Sequence, residues 1–181
     1  MSTIKKIGLN DIFKIFSNQN ENEILELLKT NNLENIIKDG GNLLHFSVGN
    51  NNFIATKLEG CFMIEPKIIT DERGYFMESF NERTFQKGVG QEVHFVQDNQ
   101  SFSSKGVLRG LHYQTGEYAQ AKLVRVLHGE VLDVAVDIRP GSKTFGQHVS
   151  VLLSGENQNQ FFVPRGFAHG FLVLSETATF F

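Results

Sequence analysis

From about Phe53 to the last residue, apolar and polar positions alternate with a period of two. The runs EVHFVQD, AKLVRVLHG, EVLDVAVDIR, QHVSVLLSG, NQFFVPRG and GFLVLSET are short and rich in Val, Leu and Phe. Gly, Asn, Ser and Pro divide them about every ten residues, the spacing of successive strands and turns. Many short strands at even intervals predict a sandwich or a barrel. VLHGEV predicts a tight hairpin at His128 and Gly129. Residues 1 to 51 carry a different period. Leu9, Ile12, Phe13 and Phe16, then Ile24, Leu27 and Leu28, then Leu33, Ile36 and Ile37 recur at helical spacing. Asn10 and Asn22 fit as N-caps, and Gly40 with Gly41 fits as a stop. The pattern predicts a helical extension over 1–51 and a β domain over 52–181.

Composition narrows the function classes. The chain has 181 residues, room for one main core and a small appendage. Hydrophobic residues make up 40%, with 17 Phe and no Trp, enough apolar material to bury a core. The net charge of −3, with both signs interspersed, offers no basic stripe for nucleic acid. The single cysteine, Cys61, rules out an internal disulfide framework and a multi-thiolate metal site, and reads as a half-buried filler. MSTIKKIGLNDIFKIF has no continuous apolar core, and no run of about 18 apolar residues follows, so a soluble cytoplasmic protein is expected. The glycines match neither Walker nor Rossmann spacing.

Candidate chemistry rests on the histidines, at 45, 94, 112, 128, 148 and 169. His45 reads as a helix or turn residue and His128 as a turn residue. His94 and His148 lie in strand-like runs as solvent-facing or core-satisfied side chains. A metal site in a small barrel of the cupin type needs a His-x-His pair, a nearby Glu and a third His in Pro-x-Gly-x-x-His. PRGFAH supplies Pro164, Gly166 and His169, but Tyr113 and Gln114 follow His112 where the second His belongs, leaving only Glu117 to recruit. No metal is expected. Arg109 precedes His112 by three positions, so the two face opposite sides of a strand unless Gly110 permits a bend. Lys122 opens the following strand, where an antiparallel return can bring it across from His112. Asp133 and Asp137 share one face of a Val-rich run, either toward the interior, where an Asp can orient an imidazole, or toward solvent. A cavity of His, Lys, Arg and Asp with Phe walls suits enolate chemistry, in which an imidazole removes a proton beside a carbonyl and a cation steadies the oxyanion.

EPKIITDERGYFMESFNERTF, FVQDNQS, VLRGLHYQ, AKLVRVLHGEVLDVAVDIRPGSKTFGQ and VPRGFAHGFLVLSE, in that order, resemble the dTDP-4-dehydrorhamnose 3,5-epimerase family from about residue 53 to 181. The resemblance implies a mainly β, cupin-like jelly roll that works as a cytoplasmic homodimer on a dTDP-sugar, without metal or organic cofactor. It implies an isomerase of nucleotide-sugar biosynthesis that makes dTDP-4-dehydrorhamnose by removing protons at C3 and C5. On the matching positions, His112 is the base and Lys122 steadies the enolate. Arg73, Glu78, Gln97, Asp98, Asn99, Arg109 and His169 contact the substrate. A weaker likeness, of ILELLKTNNLENIIKDGGNLLHFSVGNNN to part of an ankyrin repeat, places a turn and first helix at GGNLLHFSV, with Asn42 and Leu43 replacing the usual Thr-Pro.

The family's chain continues past the strand that here reads TATFF, and supplies there a proton-returning tyrosine and a carboxylate partner for the base. Neither has a counterpart, and Tyr113 and Tyr118 lie in another segment. A jelly roll incomplete at its C-terminus, a truncated reading frame and turnover impaired more than binding are therefore expected. A non-catalytic module binding a sugar nucleotide or a partner, and a metal-dependent cupin enzyme, stay open as alternatives.

Overall fold

Strand-forming alternation becomes two facing antiparallel sheets in the computed structural model, which describes residues 45–48 and 51–181. The strands are β1 (His45–Val48), β2 (Asn51–Ala55), β3 (Phe62–Glu65), β4 (Ile69–Asp71), β5 (Gly74–Phe76), β6 (Ser101–Ser104), β7 (Leu108–His112), β8 (Lys122–His128), β9 (Glu130–Asp137), β10 (His148–Ser154), β11 (Gln160–Val163), β12 (Phe167–Val173) and β13 (Thr177–Phe180). Among the described residues one α-helix, α1 (Glu82–Val89), interrupts them. The larger sheet runs β1-β2-β3-β11-β8-β13-β6, the smaller β10-β9-β12-β7, and β4 pairs with β5 as a separate ribbon. This is the mainly β sandwich that the strand spacing predicts, and the jelly-roll class that the family resemblance implies.

The core fills the space between the sheets. Val124, Val126, Phe161, Val163 and Ala178 of the larger sheet meet Val131, Ala135, Val151, Leu153, Phe167 and Phe171 of the smaller. Alternate residues of β9 and β12, namely Leu132, Val134, Val136 and Ala168, form a second apolar cluster on the other face. Both faces of β9 are therefore buried, which explains why EVLDVAVDIR is so continuously apolar.

Several expectations are corrected. The link at His128 and Gly129 is not a hairpin, because β8 belongs to the larger sheet and β9 to the smaller. Gly129 (φ 80°) turns the chain from one sheet to the other, and a Cβ there would lie 2.0 Å from the Thr177 carbonyl oxygen. EVHFVQD forms no strand. Its Phe95 instead packs edge-on against Phe85 of α1, with centroids 5.4 Å apart. The sheet begins earlier than the expected boundary at 51/52: β1 pairs with β2, His45 opposite Ile54. His45–Val48 is therefore extended where the ankyrin likeness places a helix, since its backbone groups are taken up by the β2 ladder. The helices and caps expected over 1–44 lie outside the described residues. Helix α1 went unforeseen, though its signals are present. The Asn81 side chain accepts from the Thr84 N–H as N-cap, and Gly90 (φ 70°) closes the C-terminus in the left-handed region.

Two local features position the site. First, β12 pairs with β7 so that His169 faces His112 and Phe171 faces Arg109, with a register shift between them. One residue, Gly170, separates the pair on β12 and two, Gly110 and Leu111, on β7, so β7 carries a one-residue bulge there. Gly110 has φ 131°, and a Cβ on it would lie 2.7 Å from the Gly170 Cα. Secondly, Asp137, buried at the end of β9, accepts from the Arg139 backbone N–H and guanidinium and from the Ser142 and Thr144 hydroxyls. The guanidinium lies over the Phe167 ring, 4.5 Å from its centroid. Burial alone would raise the Asp137 carboxyl, but these hydrogen bonds override it and hold it well below the usual carboxylate range.

Gly110→Ala forces backbone against backbone, and should destabilise the fold by about 1–3 kcal/mol in denaturant titration. Asp137→Ala leaves Arg139 without its partner and should cost about 3 kcal/mol at neutral pH. Since the folded-state carboxyl titrates below its unfolded value, its contribution is full above about pH 5 and is lost as pH falls further. The Tm gap between wild type and Asp137→Ala should accordingly narrow on acidification.

Candidate active site

The interior of the roll opens into a cavity of about 1370 Å³. The bulge in β7 decides what faces it. Residues paired across an antiparallel ladder project on the same side, so His112 shares the face of His169, and Arg109 that of Phe171. All four line the cavity. The bend that Gly110 had to supply is thus present, and residues three apart converge.

Lys122 opens β8 in the facing sheet and is partly buried. Burial pushes its ammonium pKa down, while the negative charge of Asp133 pulls it back up. Asp133 itself is wholly buried on the inner face of β9. Both of its oxygens lie within reach of His169 Nε2, at 2.8 and 3.0 Å. Of the two orientations left open for Asp133 and Asp137, the interior one holds, and the imidazole that Asp133 meets is His169. The floor beside it is aromatic: Phe171 and Phe180 stack with centroids 4.0 Å apart, and His169 lies 6.3 Å from Phe180.

The rim is polar. His112 is exposed to the cavity mouth. Gln97, Asp98 and Asn99 reach the cavity from the loop before β6, with the Gln97 amide donating to Asn99 Oδ1 at 3.0 Å. Arg109 Nε donates to Ser103 Oγ at 3.0 Å, which aims the guanidinium along the β6 edge. Seven of the sequence-predicted residues, His112, Lys122, Gln97, Asp98, Asn99, Arg109 and His169, therefore meet at one cavity. Arg73 and Glu78 do not line it. Arg73 sits at the turn of the β4–β5 ribbon, ion-paired with Asp71, and Glu78 accepts from the Asn81 amide at 3.3 Å.

The remaining histidines are accounted for. His94 bridges Glu82 and Glu92 at 2.7 and 3.1 Å on the surface, and both carboxylates raise its pKa. His128 ends β8, exposed. His148 begins β10. Among the described residues no three His, Cys, Asp or Glu side chains cluster as metal ligands, and Glu117 is exposed on a short 3-10 turn. Sequence reasoning raised Asp133 as a carboxylate that could orient an imidazole but assigned it no role at the site. Its signal was a carboxylate in the middle of an apolar strand, which needs a buried partner. Arg125 and Phe181 were also missed: they line the cavity with the guanidinium 5.5 Å from the ring centroid.

Comparison with known proteins places this geometry. The family profile of dTDP-4-dehydrorhamnose 3,5-epimerase matches residues 55–181. The dTDP-4-dehydrorhamnose 3,5-epimerase of Escherichia coli K12 is 59% identical over 129 residues, covering 71% of this chain and 70% of that protein. The enzyme of the same name from Methanothermobacter thermautotrophicus is 60% identical over 124 residues, covering 68% of this chain and 66% of that protein. Among solved structures, the dTDP-6-deoxy-D-glucose-3,5-epimerase of Legionella pneumophila, in complex with dTDP-4-keto-L-rhamnose, superposes with a TM-score of 0.70 at 59% identity. The match covers 72% of this chain and 69% of that one. With one profile spanning most of the chain and relatives this similar, the chain belongs to the dTDP-4-dehydrorhamnose 3,5-epimerase family.

Proposed function

We propose that the chain converts dTDP-4-dehydro-6-deoxyglucose to dTDP-4-dehydrorhamnose, with His112 as the base at C3 and C5 and Lys122 steadying the enolate. One observation carries the assignment of roles: the bulged β7 ladder sets His112 opposite His169 at a cavity that Lys122 enters from the other sheet. Protons on C3 and C5 are acidic because both carbons adjoin the C4 ketone, whose oxygen takes up the electron pair when a proton leaves. A neutral imidazole accepts that proton, and a nearby ammonium offsets the charge gathering on the oxygen. Each centre inverts when a proton returns from the opposite face.

The remaining groups suit recognition. The Arg109 guanidinium offers paired donors to a diphosphate oxygen. Gln97, Asp98 and Asn99 supply donors and acceptors at the rim, and His169 contacts the sugar from the floor. The structural relative that holds dTDP-4-keto-L-rhamnose supports the substrate class.

Arg73 and Glu78 belong to the same reading if the protein is a homodimer. The β4–β5 ribbon lies outside both main sheets and exposes Ile69, Tyr75 and Phe76, an apolar surface suited to a second copy. Arg73 and Glu78 would then serve the second copy's cavity. A cytoplasmic location is part of the same proposal.

In heavy water the protein should wash deuterium into C3 and C5 of dTDP-4-dehydro-6-deoxyglucose, read by mass spectrometry or proton NMR. His112→Asn should slow exchange by about 10²–10⁴-fold. Nucleotide-sugar binding without any exchange in the wild type would instead indicate a binding module. For the ribbon, the double change Tyr75→Ser and Phe76→Ser should shift the protein from dimer to monomer in sedimentation velocity.

A further inference from the structure

We infer that Asp133 is the positioning residue of this site, fixing the His169 ring through both carboxylate oxygens from the buried inner face of β9. The inference rests on the epimerase reading above and adds a residue to it.

Asp133 lies in the middle of β9, flanked by Val131, Leu132, Val134, Ala135 and Val136, all buried. A carboxylate in such a place is destabilising unless it is paired and hydrogen-bonded. Packing alone would favour an apolar residue there, as at the neighbouring positions. His169 pairs with Ala135 across the β9–β12 ladder, which makes Asp133 its diagonal neighbour on the same face. An ionised carboxylate only accepts hydrogen bonds, so Nε2 carries the proton and shares it between oxygens at 2.8 and 3.0 Å. The tautomer follows from that network. Nδ1 makes no hydrogen bond among the described residues and is left for the cavity that His169 lines.

The same carboxylate acts on Lys122 through its field. Burial disfavours the ammonium, and Asp133 is the charge that opposes burial. Other ionisable groups lie around them. His112 lies across from His169 on β7, and Arg109 is bonded to Ser103. Asp137 is taken up by Arg139, Ser142 and Thr144. Cys61 is buried, and its thiol is held protonated by desolvation. A group that fixes a ring and opposes the burial of a cation acts on turnover without touching the substrate.

Asp133→Asn separates these roles, because the amide oxygen can still accept from Nε2 while the charge is gone. The variant should lose roughly 10²-fold in kcat with KM nearly unchanged. The alkaline limb of its pH–rate profile should move toward acid, because the charge that opposes burial of the Lys122 ammonium is removed. A variant with wild-type kcat and an unmoved alkaline limb would overturn the inference. A second measurement uses the wild-type protein and does not depend on the variant folding: nitrogen-15 NMR of His169 should show the Nε2–H tautomer. An Nδ1–H tautomer would overturn the assignment equally. Absence of hydrogen exchange by the wild type would count against the epimerase reading alone, since the tautomer measurement requires no turnover.

Discussion

Everything at the site depends on how closely β7 approaches β12. The two strands pass so near each other at Gly110 and Gly170 that neither backbone leaves room for a side chain on Gly110. This contact admits the extra residue in β7, and the extra residue turns both Arg109 and His112 inward. Without the bulge, the alternation of a strand would send one of them to the opposite face. Glycine here serves approach as well as conformation, because a φ of 131° would strain any residue with a Cβ. The site is therefore specified by a backbone irregularity more than by any pair of side chains.

Two carboxylates on one face of β9 show how position decides the fate of the same chemistry. Asp137 stands at the strand's end, where the chain turns back over it and offers a guanidinium, two hydroxyls and a backbone N–H. So many donors stabilise the charge and leave nothing to share, so the carboxylate holds the loop to the barrel. Asp133 stands mid-strand, where neighbouring β-strands have used their N–H groups in the ladder. Its partners must be side chains, and those on offer are an imidazole and, at longer range, an ammonium. A scarcity of local donors leaves Asp133 coupled to the groups around the cavity.

Much of this was legible in the sequence, for reasons tied to particular residues. Short Val-, Leu- and Phe-rich runs marked β8, β9, β10, β11 and β12: β8 and β10 alternate between core and exterior, while β9, β11 and β12 are buried on both faces. The alternation misled at EVHFVQD, whose Val93 and Phe95 pack on α1 and Phe162 without any ladder partner. A period shows which side is buried, but it does not say what does the burying. VLHGEV was misread for a related reason: a glycine between two strands signals a reversal, and only the tertiary pairing reveals that the strands enter different sheets. At the site, His112, Lys122 and His169 stood out through the ordered run of motifs. The role of Gly110 was readable as a condition, a bend without which Arg109 and His112 diverge. Asp133 was visible as an anomaly but had no assignable partner, since the ladder that makes His169 its diagonal neighbour joins residues 36 positions apart.

The division of labour around the cavity follows from rigidity. His112, Lys122 and His169 sit on strands whose backbones are held by ladders, so their side chains start from fixed positions. Proton removal demands that fixity, because a reacting atom displaced by about 1 Å can cost 10²-fold in rate. Gln97, Asp98 and Asn99 lie on a stretch without a ladder, exposed at the rim. Binding a nucleotide diphosphate tolerates such looseness and gains from it, since a polar loop can settle onto a ligand whose charged oxygens are spread over several bond lengths. On the proposed assignment, chemistry on the strands and recognition on the loop would allow the rim to adapt while His112, His169 and Lys122 keep their places. The arrangement also accounts for the burial gradient, from the enclosed Asp133 through the partly buried Lys122 to the exposed His112. Charge is fixed where water is scarce, and the proposed base stands at the open mouth where a substrate would enter.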